Sequence, residues 1–205
     1  MKKIWKTTLI LFLIQISVLD AQEYRIKEGI NKNMDKVSTV RLKSSIAELI
    51  AFHNRNTFSD TLSDSRGIGA ARRWLYSEFR NINRETGNKM KISTDYFYIQ
   101  VPSRYRDKVG ADSVRAANVV AVIPGEKTDR TLIFMGHYDS RTRSNIDTDS
   151  YAPGANDDGS GTVALLEMAR ILSQARPDNR IILAAVTGEE QGLFGSSHLA
   201  AKAVA

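Results

Sequence analysis

The chain contains no cysteine and only three histidines in 205 residues. Without thiols it forms neither disulfides nor sulfur-ligated metal sites, so any zinc centre has to draw on His, Asp and Glu. Dense lysine/arginine blocks interleaved with aromatics are also missing. The formal net charge of +6 (29 Lys+Arg against 23 Asp+Glu) is spread along the chain, which gives nucleic-acid binding little support. No internal repeat or low-complexity tract is visible, so tandem-repeat architectures drop out.

The apolar stretch Leu9–Leu19 is too short for a comfortable membrane span. Lys2, Lys3 and Lys6 precede it and the small residue Ala21 follows it. Residues 1–21 therefore read as a secretory signal peptide, with an uncleaved anchor as the alternative. This reading predicts an exported product, periplasmic or extracellular, with no stable membrane insertion after cleavage. Cleavage removes three lysines and Asp20, leaving 26 basic against 22 acidic residues, or +4. The remaining composition, 42% hydrophobic and 25% charged over the whole chain, is that of a globular protein with one domain.

Residues 22–36 are polar without a clear period and read as a flexible lead-in to a domain over 37–205. Val40, Leu42, Ile46, Leu49 and Ile50 predict a helix from about Val37 to Phe52. The stretch Asn54–Asp64 reads as a loop. A second helix is predicted from about Ile68 to Asn83, with Gly87 as its C-terminal cap. Lys91–Val101 alternates like a half-buried strand. Ala117–Ile123 and Thr131–Met135 flank the turn Pro124-Gly125-Glu126-Lys127 and suggest adjacent antiparallel strands. A helix from about Ser160 to Ser173 and a buried strand Ile181–Val186 complete a β-α-β unit with strand 131–135, expected to be parallel and right-handed. The fold class is α/β: a mixed, mainly parallel central sheet flanked by helices.

Three segments carry the chemistry: Gly136-His137-Tyr138-Asp139-Ser140, Gly154-Ala155-Asn156-Asp157-Asp158-Gly159-Ser160-Gly161, and Gly188-Glu189-Glu190-Gln191-Gly192. In open α/β sheets ligands sit at the carboxyl ends of the strands. His137 and Asp139 follow one strand of the parallel pair, Glu189 and Glu190 follow the other, and Asp157 leads into the helix between them. All five side chains are thus expected at one rim. Each segment alone has a plainer reading: a histidine held by a nearby acid, a glycine-rich loop capped by Asp158 or Ser160, a solvated acidic turn. Adjacent carboxylates after an apolar strand repel unless a cation or proton intervenes. Together the segments predict a metal site suited to zinc, with a spare carboxylate able to move protons, and hence metal-assisted hydrolysis. His53 and His198 have no partner at ligand spacing and read as structural.

The motifs MGHYDS (135–140), PGANDDGSG (153–161) and GEEQGLFGS (188–196) resemble the two-zinc aminopeptidase family typified by secreted bacterial leucyl aminopeptidases. HNRNTFSD (53–60) and ANVVAVIPG (117–125) extend the resemblance more weakly. It implies a central mixed sheet sandwiched by helices and two zinc ions in the complete enzyme. It also implies metal ligands at His137, Asp157 (shared by both ions) and Glu190, with Asp139 orienting His137 and Glu189 as general base acting on a metal-bridging water. Asp158 resembles the second half of a cis peptide. Peptide or protein substrates follow, with removal of N-terminal residues as the activity. The family's further Asp and His ligands lie well downstream of the double-glutamate motif, whereas this chain ends at Ala205. The expectation is therefore a C-terminally truncated sequence. Alternatives are a single-zinc enzyme like glutaminyl cyclase, or an inactive fragment or binding module on the same scaffold.

Overall fold

Four apolar runs assemble into one sheet whose carboxyl edge carries the three motifs. The structure, a computed structural model, describes residues 27–127 and 130–204. The proposed signal peptide lies outside the described residues. Residues 27–34, part of the expected lead-in, are helical (α1) and belong to a unit that ends at Val37; a second unit starts at Ser38. No helix among the described residues is long and apolar enough to cross a membrane.

The second unit runs α2 (Thr39–Ala51), α3 (Gly67–Glu85), β1 (Lys91–Gln100), α4 (Ser103–Val109), β2 (Ser113–Ile123), β3 (Thr131–His137), a wide turn at Ala155–Gly159, α5 (Ser160–Leu172), β4 (Arg180–Val186), α6 (Glu189–Gly192) and α7 (Phe194–Val204). Both early helices fall within a few residues of their predicted bounds. Ser38 caps α2 by accepting a hydrogen bond from the Arg41 amide at 3.2 Å. Its own amide donates to Glu167 on α5 at 2.7 Å, which fixes where α2 meets the helix behind the site. α3 buries Ala71, Leu75, Phe79 and Ile82 on one face. Each large side chain of that stripe contributes about 1.5–3 kcal/mol by leaving water. The core continues through Val119, Ala121 and Ile123 on β2, Val163 and Leu166 on α5, and Leu183 and Ala185 on β4.

The strand order is β1-β2-β4-β3. β2 pairs antiparallel with both β1 and β4, while β3 pairs parallel with β4, Thr131 facing Arg180 and His137 facing Val186. β1, β3 and β4 therefore point the same way, and their carboxyl ends share one edge. The parallel β3-α5-β4 unit is as expected, but the predicted adjacency of β2 and β3 is not. β4 lies between them, and the short connection crosses its start, where the Glu126 and Lys127 amides donate to the Pro177 and Asp178 carbonyls at 3.0 and 2.7 Å. The physical reason is burial. β4 is almost wholly buried, whereas β3 forms the sheet margin with Leu132, Ile133, Phe134 and Met135 between 40% and 52% exposed. A strand apolar on both faces belongs in the middle. α4 was not anticipated, because none of its residues is buried and no apolar period marks it.

Candidate metal centre

β3 delivers His137 to the rim at its last residue, and α5 holds it there from behind. The His137 amide donates to Asp158 Oδ2 at 3.0 Å and its carbonyl accepts from the Thr162 hydroxyl at 2.8 Å. Asp158 Oδ1 in turn accepts from the Gly161 amide at 3.0 Å, so this carboxylate binds strand end and helix start together. A Cβ at Gly161 would lie 2.2 Å from Asp158 Oδ1, which is why the helix must begin with a residue lacking one. The peptide bond Asp157-Asp158 is cis, as the resemblance implied.

Across the rim, β4 ends at Val186 and the chain turns through Gly188 (φ +73°) into α6, whose first residues are Glu189 and Glu190. Asp139, fully buried, secures that turn. Its Oδ2 accepts from the Glu190 amide at 3.2 Å and its Oδ1 from the Glu189 amide at 3.4 Å. The Thr57 hydroxyl donates to Oδ2 at 3.4 Å. Burial raises the Asp139 carboxyl to about 6, opposed by His137 and by those amides.

The ring of His137 stands between these groups. Nδ1 is 3.2 Å from the Asp139 carbonyl oxygen and 3.7 Å from its Oδ1. The carbonyl is the nearer acceptor, so Asp139 orients the ring through its backbone and uses its carboxylate mainly to hold α6. With a proton on Nδ1, the Nε2 lone pair faces outward. Nε2 lies 3.1 Å from Asp157 Oδ1 and 3.7 Å from Glu189 Oε2. Burial alone lowers the His137 pKa, but the charges of Asp139, Glu189 and Asp158 outweigh it and hold the pKa above the ordinary imidazole value.

Four of the five anticipated side chains therefore meet. The fifth, Glu190, turns to Arg141, whose Nε donates to Glu190 Oε2 while an Nη nitrogen donates to Asn145 Oδ1 at 3.0 Å. Glu190 holds the Arg141 pKa up, and Asp157 and Glu189 add to that from further away. Among the described residues no three His, Asp or Glu side chains gather closely enough to hold a metal ion. The donor chemistry nevertheless fits part of a zinc site, since an imidazole nitrogen and a carboxylate oxygen 3.1 Å apart suit two corners of one tetrahedron.

One contributor was missed. Arg55, fully buried in the loop after α2, donates from Nε to the Tyr138 carbonyl at 2.7 Å and from its Nη nitrogens to the Pro153 and Gly154 carbonyls at 2.7 and 3.1 Å. It thereby clamps the His137 strand end to the loop carrying Asp157. Burial lowers its pKa to about 10, with Asp139 the main opposing charge. HNRNTFSD was the only sequence signal, and periodicity is silent on a buried loop. His53 sits beyond the C-cap of α2, its ring 5.3 Å from that of Tyr151. His198 Nε2 lies 3.2 Å from Asp95 Oδ2, and the ring stacks on Phe97 at 4.5 Å. Both stand apart from the rim, as expected, although His198 gains an acidic partner distant in sequence.

Fold and rim together define an α/β protein with a mixed sheet whose strand edge gathers an imidazole and carboxylates. Residues 118–205 match the family described as Peptidase family M28. A "Probable zinc metalloprotease" of Leptosphaeria maculans is 41% identical over 175 residues, covering 85% of this chain and 39% of the relative. One from Pyricularia oryzae is 38% identical over 168 residues, covering 82% and 32%. The chain thus spans about a third to two fifths of the length of these curated relatives. Among solved structures, the Legionella pneumophila LapA aminopeptidase superposes with a TM-score of 0.64 at 22% identity, covering 86% of this chain and 42% of the other. The Tannerella forsythia glutaminyl cyclase gives 0.54 at 19% identity, covering 73% and 46%.

Proposed function

We propose that this chain carries the His137-Asp157-Glu189 rim of an exported zinc aminopeptidase that removes N-terminal residues from peptides. The observation that carries the reading is the convergence of His137 Nε2 on Asp157 Oδ1 at 3.1 Å, with Glu189 Oε2 at 3.7 Å, beside the carboxyl ends of a parallel strand pair. His137 and Asp157 would hold zinc, with Glu190 available to a second ion once it leaves Arg141. Zinc in such a site makes water acidic near neutral pH and polarises a scissile carbonyl. The chain's own residues then have separate tasks. Asp139 keeps the Nδ1 proton in place and so leaves Nε2 free to ligate. Glu189 accepts a proton from the attacking water on its carboxylate and returns it to the departing amine. Asp158, Thr162 and Arg55 fix the geometry those tasks need.

Glu189→Gln should lower turnover of aminoacyl chromogenic substrates by several orders of magnitude while leaving zinc content unchanged. Loss of zinc instead would reassign Glu189 as a ligand, and full activity would remove it from the chemistry. A single-zinc reaction of the cyclase kind has one observation in its favour: Arg141 occupies Glu190 and leaves one donor pair at the rim. Metal stoichiometry separates the two, because two ions per chain support the peptidase and one tightly bound ion supports the cyclase.

A further inference from the structure

Of the five rim residues Glu190 alone is turned aside, and Arg141 is what turns it, with Nε donating to Glu190 Oε2. The pair is partly sheltered, the Glu190 side chain being 10% exposed and that of Arg141 40%. Water and salt screen such a pair less than one on open surface. The guanidinium is also braced. One of its Nη nitrogens donates to Asn145 Oδ1 at 3.0 Å, and Asn145 is tied to three other parts of the fold. Its carbonyl accepts from Asn56 Nδ2 at 3.0 Å and from Gln191 Nε2 at 3.3 Å, while its Nδ2 donates to the Tyr105 hydroxyl on α4 at 3.4 Å. Gln191 follows Glu190 in the chain, so the brace grips the same turn that carries the carboxylate.

The loop bearing Arg141 is pinned at both ends. The Ser140 amide donates to the Arg55 carbonyl at 3.2 Å, and the Ser140 hydroxyl donates to the Ala152 carbonyl at 2.7 Å. Buried Asn54 donates from Nδ2 to the Asp147 and Ser150 carbonyls at 3.1 and 2.7 Å. An arginine on a loose loop loses much of its pairing energy to side-chain entropy, whereas here the fold has already restricted it. The charges give the arrangement a consequence. Glu190, Asp157 and Glu189 all attract Arg141, and carboxylates gathered at one rim repel unless a cation intervenes. A guanidinium that neutralises Glu190 also competes for it. A second divalent ion has to take Glu190 from the Nε–H donor and approach against a fixed positive charge. At His137 and Asp157, 3.1 Å apart, an ion meets no such donor among the described residues.

We infer that Arg141 is a positioning residue that withholds Glu190 from the second ion, so that the rim holds one zinc tightly and takes another only when zinc is abundant; this rests on the zinc reading proposed above. The test is isothermal titration of the metal-stripped protein with zinc, comparing the parent with Arg141→Gln. The expected result is a weaker second ion in the parent, tightened at least fivefold by Arg141→Gln while the first ion is unchanged. Mere structural damage would loosen zinc, not tighten it. Arg143→Gln removes the same charge two residues away and should change neither ion; an equal gain there would reduce the effect to net charge and overturn the inference. In a Glu190→Gln background the Arg141 change should have no effect, and a persisting gain would show that Arg141 does not act through Glu190. Should Arg141→Gln fail to fold by circular dichroism, Asn145→Ala, which removes the brace alone, takes its place and should tighten the second ion about twofold. Unchanged or weaker binding of the second ion, or a single ion on both proteins, overturns the role of Arg141 and leaves the His137-Asp157 site standing. Absence of zinc binding by either protein would instead overturn the zinc reading itself, and this inference with it.

Discussion

At the residue scale the rim depends on buried groups that stand behind it. Arg55 satisfies carbonyls of Tyr138, Pro153 and Gly154 that have little access to water. Replacing it with Met retains bulk but orphans those acceptors, and each buried unsatisfied group costs about 1–3 kcal/mol. Arg55→Met should therefore destabilise the protein by about 3 kcal/mol or more, read as a lower urea midpoint at unchanged slope. His137 gives a pH prediction. Its pKa is held above the ordinary value by neighbouring carboxylates, so its proton persists to higher pH than on a free imidazole. A ligand nitrogen must be deprotonated to bind metal. Zinc affinity should thus fall about tenfold per pH unit once pH drops below that raised pKa. Isothermal titration across pH 5–8 checks this; pH-independent affinity would remove His137 from the site. Glu190, by contrast, was legible only as a residue type, because nothing local in the sequence pairs it with Arg141 across a loop.

At the scale of elements, the β3-α5-β4 unit could be read from the chain because each of its parts carries its own signal. An apolar run, a glycine-rich helix start and a second apolar run follow in order, and parallel strands need a crossover of that length. The β2–β3 relation could not be read that way. A short turn between two apolar runs favours a hairpin locally, and only the greater burial of β4 on both faces overrides it. The start of α5 makes the sharpest element-level prediction. With Asp158 Oδ1 2.2 Å from where a Cβ would stand, Gly161→Ala has to displace the Asp158 carboxylate from the His137 amide. Zinc affinity should drop at least tenfold while far-ultraviolet circular dichroism stays near that of the parent. Wild-type affinity would mean that the loop adjusts without involving His137.

At the scale of the whole molecule, the sheet brings the strand ends that carry the site to one edge. If Lys2, Lys3, Lys6 and the run Leu9–Leu19 form the proposed signal peptide, cleavage after Ala21 leaves a product that begins at Gln22. N-terminal sequencing of the protein from its native host tests this, and an intact Met1 would favour an anchor. Four of the five rim residues were brought together because parallel topology forces strand ends to one edge, whereas Arg55 escaped notice because its role is defined only by carbonyls folded around it. The margin strand has a further effect. From Leu132 to Met135, oily side chains alternate up and down along a flank that no further strand pairs with among the described residues. Such a ribbon recruits β-segments that meet it, another copy included, so the protein should refold in lower yield as concentration rises, through lateral strand addition.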